Sequence, residues 1–381
     1  MDDMNNKVGI NKINILQGTN IIYILMIFFL SISMLGLPIP YLKYLVYTLP
    51  YVIFLVWLLQ MKYRLYPSRH TIPFLLLLGM AVFSIGKSDY NTIRQGGFIL
   101  TYTAVFILCD FRKIGFNVLY INALFVGLFV VRMSSEVLGV ASSTFEYSIS
   151  ESHSSLESGY SFIFGLFTMY YLVKKRYLLF LINLLLAGLA FKRIVIVGLI
   201  TSVMVWFIPR KVRRVVLNPY VVTVCVLLLM YFSIEMARGS YDRFIVDLTG
   251  MSPNYLLQGR QDMWLRVLHK IDFNYFDYLF YGVGLGQTRT IISEIFNQNT
   301  ILHNDFLAII LEYGIFTMCA FCILLNNQKS DEERLMGLFL TILFLTDNVL
   351  SYVYVMFPYL LLQADLAKTA SGNERAVIHS G

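Results

Sequence analysis

Of the 381 residues, 57% are hydrophobic and only 14% are charged. A soluble domain carries about 25% charged residues, so an ordinary water-soluble globule is excluded. The formal charge of +7 matches the Lys and Arg excess of a membrane protein's cytoplasmic segments, and gives no ground for nucleic-acid binding.

The first 19 residues are polar, and no small-residue cleavage site follows them, so the first apolar run reads as an uncleaved anchor. Apolar runs such as NIIYILMIFFLSISMLGL and YLVYTLPYVIFLVWLLQ approach the roughly 20 residues needed to cross a bilayer core. Spans are expected at 20–37, 42–61, 71–86, 96–110, 114–133, 157–173, 177–191, 193–209 and 216–234, an N-terminal bundle over 1–234. A large hydrophilic segment, 235–302, follows. Further spans are expected at 303–325, 335–351 and 352–365, before a tail over 366–381.

Placing the N-terminus in the cytoplasm puts most of the Lys and Arg of the short connections inside. Both termini are then cytoplasmic, and 235–302 is a large periplasmic loop. The expected fold class is all-α, a polytopic integral membrane protein of about twelve transmembrane helices. No internal repeat is evident.

Cys109, Cys225, Cys319 and Cys322 all lie in apolar runs. Cys319 and Cys322 have CxxC spacing without a second pair, so no metal or redox role is assigned. Lys192 and Arg193 stand at the outer mouth of a span, as snorkelling anchors or as cations facing a cavity for a lipid-linked pyrophosphate. Arg94, Arg238 and Arg243 are further outer-face cations, one of which Asp347 is placed to pair.

In the long loop, residues 256–271 have helical amphipathic spacing. Arg260, Trp264, Val267, Leu268 and Ile271 share one face, as in a helix lying on the outer membrane surface. Arg260 there is a structural ion-pair partner or a bidentate clamp on phosphate. YGVGLGQTRT, with Gly282, Gly284 and Gly286, lacks dinucleotide-fingerprint spacing; it is a flexible turn or a loop aiming backbone N–H groups at an anion.

His303, Asn304 and Asp305 open the span NTILHNDFLAIILEYGIF, where unpaired N–H groups and the helix dipole favour anions. Asp305 and Glu312 share a face, with Glu312 about 10 Å deeper at 1.5 Å per residue. Histidine titrates near neutrality, so His303 is the leading candidate for a general base. A structural hydrogen bond at the interface is its ordinary alternative. Asn304, Asp305, Glu312 and Asp347 read as orienting groups, and His153 and His269 as solvent-facing.

GRQDMW, then YGVGLG, then LHNDFLAIILEYGIF, in that order on the outer face, resembles the bacterial O-antigen polymerase (Wzy-type) and ligase superfamily. LAFKRIVIVGLITS is similar to that family's Ser-Arg helix, although Phe191-Lys192-Arg193 departs from it. The resemblance implies a GT-C-like, metal-independent, inverting glycosyltransferase of the bacterial inner membrane that needs no cofactor. Its donor would be an undecaprenyl-pyrophosphate-linked oligosaccharide. His303 would deprotonate the acceptor hydroxyl, while Arg260, Arg193 and Lys192 would hold the pyrophosphate. Membrane lipid, a flippase and a chain-length regulator are the implied partners. Within that resemblance, the compact length, the richness in Tyr and Phe and the loose motif match look more like the family's polymerases. A ligase transferring glycan to lipid A–core is the alternative. A lipid-linked sugar transporter is the rival of another class, and would call for related halves and midplane charges.

Overall fold

The computed structural model describes residues 69–83, 117–139, 158–257, 259–271, 281–297 and 301–379, with shorter pieces between 25 and 55, between 93 and 103, and at 147–148 and 153–154. The spans expected at 20–37, 42–61 and 96–110, most of a smaller Ser- and Glu-rich outer loop expected over about 134–156, and Cys109 lie wholly or largely outside the described residues.

The described residues are all-α apart from one antiparallel pair, Tyr147–Ser148 with His153–Ser154. The helices run α1 Ile72–Phe83, α2 Val118–Gly139, α3 Tyr160–Val173, α4 Tyr177–Leu189, α5 Arg193–Phe207, α6 Arg210–Val216 and α7 Pro219–Ala237. Next come α8 Asp242–Thr249, α9 Pro253–Leu256, α10 Arg260–Lys270 and α11 Gln287–Phe296. The last are α12 Asp305–Tyr313, α13 Ile315–Asn326, α14 Asp331–Phe344 and α15 Val353–His379, with a 3-10 turn at Val349–Ser351 before α15.

Boundaries follow local chemistry. Asn218 caps α7, its side chain accepting from the Tyr220 N–H, with Pro219 at the first helical position. Ser330 caps α14 in the same way, accepting from the Glu333 N–H. The helix expected over 303–325 is instead two helices. Gly314, at φ 85° and ψ 166°, ends α12 and begins α13, a conformation that glycine alone adopts without strain.

The chain divides into two compact units. One comprises Met1–Thr71, Leu100–Ile200 and Val353–Gly381. At its centre α3 is buried along its whole length and packs on α2, α4 and α15. Phe129 of α2 meets Tyr160 and Phe164 of α3. At the far end of α3, Tyr170 donates to Asp365 Oδ2 at 2.6 Å, and the Lys174 ammonium reaches the same oxygen at 2.9 Å.

The other unit comprises Ile72–Ile99 and Thr201–Tyr352. Its core is α13, packed against α1, α7 and α12. Phe321 of α13 touches Phe74, Phe306 and Phe344, drawing α1, α12 and α14 around one aromatic centre. Of α7, a stripe including Val222, Val226 and Met230 is buried. Tyr220, Val224, Leu228 and Phe232 remain between 49% and 66% exposed. This 19-residue helix is long and apolar enough to cross a membrane, and α3, α4, α5 and α13 are shorter apolar helices.

Candidate active site

In the second unit, three chain segments converge: the entry to α12, the turn after α14, and α10. Asn304 caps α12, its Oδ1 accepting from the Leu307 N–H at 2.9 Å. Because Asn304 must be extended to do this, His303 absorbs the change of direction and sits at φ 55°. Left-handed backbone at a non-glycine residue is uncommon, histidine being among the residues that tolerate it, and such positions concentrate at functional sites.

The His303 imidazole stands with Nδ1 3.6 Å from Asp347 Oδ1, just beyond hydrogen-bond distance. The carboxylate is 9% exposed and the imidazole 31%, so the pair has one enclosed member and one open to solvent. Asp347 Oδ1 also accepts from the Asn348 N–H and the Tyr352 hydroxyl, each at 2.8 Å, which fixes its orientation. A carboxylate beside Nδ1 favours the tautomer with the proton on Nδ1 and leaves Nε2 as a base. Of the cations expected to pair with Asp347, Arg238 and Arg243 bond elsewhere. Arg238 bonds to Glu235 at 2.7 Å, and Arg243, 97% exposed, lies 3.9 Å from Asp247 on its own helix. Both are local contacts between near neighbours in sequence, which form without any tertiary cost.

One helix holds both halves of the pair in place. Trp264 donates its Nε1–H to the Leu302 carbonyl at 2.8 Å, and Arg260 donates from Nη1 to the Thr346 carbonyl at 2.8 Å. Those carbonyls belong to the residues immediately before His303 and Asp347. Arg260 and Trp264 are four apart, so one face of α10 contacts both segments. The apolar face of this helix, expected on a membrane surface, is instead buried against protein: Trp264, Val267 and Ile271 are enclosed as α10 packs on α7 and α11. An apolar stripe at helical spacing does not distinguish lipid from a neighbouring helix.

The glycine-rich loop has a structural task. Because the helix stops at Gly314, the carbonyls of Leu311 and Glu312 lose the donors a continuous helix would supply. The N–H groups of Val283 and Gly284 take their place, at 2.8 and 2.9 Å. Gly284 therefore turns its N–H to a helix end rather than to an anion. Gly282, at φ 58°, lies so close to the Glu312 and Tyr313 backbone that a Cβ would collide with it. Thr288 at the start of α11 donates a hydrogen bond to the buried Glu312 carboxylate.

Asp305 is 4% exposed and accepts from the Leu350 N–H at 2.9 Å, tying α12 to the turn after α14. It lines a cavity of about 30 Å³, room for one or two waters, with Thr288, Arg289, Asn348 and Ser351. Asn348 Nδ2 is buried there without a hydrogen-bond partner among the described residues. Lys192 and Arg193 belong to the first unit, where the Lys192 carbonyl accepts the first N–H bonds of α5, from Val195 and Ile196. His269 is exposed on α10. Helical spacing marks Trp264 only as an apolar-face residue, and no periodicity points to the roles of Tyr352 and Asn348.

No family model, curated protein or solved structure matches this chain.

Proposed function

We propose that the chain is a polytopic membrane glycosyltransferase of GT-C-like architecture that polymerises undecaprenyl-pyrophosphate-linked saccharide units at the periplasmic face of a bacterial inner membrane. The observation that carries this reading is the His303–Asp347 pair, with both members set by α10. Membrane residence is supported by α7, whose Tyr220, Val224, Leu228 and Phe232 would otherwise face water as an apolar strip.

In the proposed reaction Nε2 of His303 takes the proton of the acceptor sugar hydroxyl as its oxygen attacks the anomeric carbon. The bond from that carbon to the pyrophosphate breaks, and the electron pair departs with the lipid pyrophosphate. Inversion follows from attack opposite the leaving group. Arg260 donates to the carbonyl of Thr346, the residue immediately before Asp347. A guanidinium carries five N–H donors, so its bond to Thr346 is compatible with a second role on the phosphate oxygens. Because the donor is already activated, positioning and charge stabilisation suffice.

The test is deletion of the gene, with surface glycan resolved on a gel and complementation by wild type or by His303→Ala. A polymerase gives single repeat units on lipid A–core in the deletion strain, restored to a ladder by wild type alone. Loss of all glycan from lipid A–core, with long lipid-linked polymer accumulating, identifies a ligase. An unchanged ladder returns the chain to the transporter reading.

A further inference from the structure

Away from this site, the short helix α6 and its flanks form a second surface with its own chemistry. Along Arg210–Val216 the cations and valines separate cleanly. Val212, Val215 and Val216 lie three and four apart and share one face; Lys211 and Arg214, three apart, share another. Val212 is 50% exposed and Val215 61%, so the apolar face is not used by the protein's own core.

The helix is nevertheless rigidly placed. Arg213 is gripped on three sides: its Nη1 donates to the Trp206 carbonyl at 2.8 Å, its guanidinium lies 4.6 Å from the Trp206 ring centroid, and Nη2 is 3.3 Å from Asp331 Oδ2. Arg210 Nε approaches the same carboxylate oxygen at 4.0 Å. Asp331 thus answers Arg213 and Arg210, while Lys211 and Arg214 are exposed and make no ion pair among the described residues. On either side stand apolar helix ends open to the surroundings: Met204 and Phe207 of α5 at 64% and 70%, Tyr220 of α7 at 66%.

We propose that α6 is an anionic-phospholipid site: Lys211 and Arg214 hold the headgroup phosphate while Val212 and Val215 sit among the upper acyl carbons. The occupant is a lipid rather than an acidic protein segment, because the cations are bracketed by exposed apolar side chains that a polar partner would leave in water. Basic residues at a membrane surface attract anionic lipid with a strength of about fivefold in affinity per cation. Arg213, held by Asp331 and by the Trp206 carbonyl and ring, fixes the height and angle at which Lys211 and Arg214 are presented. This inference rests on α7 crossing a membrane, as proposed above, and is independent of the reaction at His303.

The test uses the full-length protein stripped of lipid in a neutral detergent, with thermal unfolding followed as phosphatidylglycerol, phosphatidylcholine or inorganic phosphate is added. Wild type is expected to be stabilised by phosphatidylglycerol well beyond phosphatidylcholine, and not by inorganic phosphate. The double variant Lys211→Gln, Arg214→Gln should need roughly 25-fold more phosphatidylglycerol for the same stabilisation. Lys211→Arg with Arg214→Lys, which keeps both charges, should behave as wild type. Equal responses to the two lipids, or an unchanged response in the double variant, would overturn the site. Stabilisation by inorganic phosphate at the same concentration would make it an ordinary anion site. If the membrane reading itself were wrong, neither lipid would act on wild type, an outcome distinct from loss of headgroup preference.

Discussion

At the scale of residues, the proposed reaction turns on the Asp347 carboxylate standing 3.6 Å from Nδ1 of His303. Asp347→Asn keeps the shape of the side chain but removes the negative charge beside Nδ1, and its amide can present a donor where an acceptor stood. The expected result is a fall in transfer rate of about 10²-fold, within the range for a general base, with the unfolding temperature little changed. Steady-state rates on lipid-linked substrate check this; a change in KM alone would contradict it. Trp264→Phe keeps most of the buried ring but deletes the N–H bond to Leu302. A stability loss of about 1 kcal/mol is expected, with a lowered kcat from a less well placed His303. Chemical denaturation and rate measurements on the same sample separate the two effects.

Part of this was legible in the chain. His303 stands out as an ionisable group opening a long apolar run, and Arg260 as a guanidinium on the apolar face of an amphipathic helix; each is costly there and needs a reason. The pairing of His303 with Asp347 was not legible, since it depends on how α12 and α14 pack and no periodicity encodes it. The left-handed backbone of His303 follows from its place before a capping Asn304, a geometric demand visible only once the helix start is fixed.

At the scale of elements, the break at Gly314 organises the site. It frees two carbonyls at the end of α12, and the loop at Gly282–Gly284 binds to them. That loop therefore holds α12 in place from the end opposite His303. Gly282→Ala adds a Cβ where the Glu312 and Tyr313 backbone already stands, on a φ of 58°. Destabilisation of at least about 1–3 kcal/mol is expected from strain alone, before the collision is counted. Thermal unfolding measures it; an unchanged unfolding temperature would mean the loop is not docked.

Hydropathy located many of the helices themselves. Runs expected at 157–173, 177–191 and 193–209 are helices at Tyr160–Val173, Tyr177–Leu189 and Arg193–Phe207. Two things escaped it for physical reasons. Gly314 lies between the apolar stretches FLAIIL and IFTMCAF, which hydropathy joins into one span. The spacing of the α10 stripe suits a lipid face, yet the stripe packs on α7 and α11, because burial against a bilayer and burial against a helix select the same side chains.

At the scale of the whole molecule, the membrane reading predicts that structural exposure and water accessibility part company. Cys225 is exposed on α7, about two turns in from Pro219. In a chain whose other three cysteines are replaced by serine, a water-soluble, membrane-impermeant maleimide should fail to label Cys225 in sealed vesicles and should label it after denaturation. Rapid labelling in sealed vesicles would place α7 in water. Leu228, 53% exposed on the same helix, gives a complementary test: Leu228→Lys should reduce the fraction of chain recovered in the membrane, since a central Lys costs roughly 2.5–3.5 kcal/mol at insertion.

The most direct test of the central claim is the rate of glycan extension by purified, membrane-reconstituted protein given a lipid-pyrophosphate-linked oligosaccharide, comparing wild type with His303→Ala. Wild type should build a ladder of products with release of lipid pyrophosphate. His303→Ala should be slower by at least about 10²-fold while unfolding at the wild-type temperature. Extension at the wild-type rate by His303→Ala would remove the base from the mechanism, and with it the role given to Asp347 and to α10.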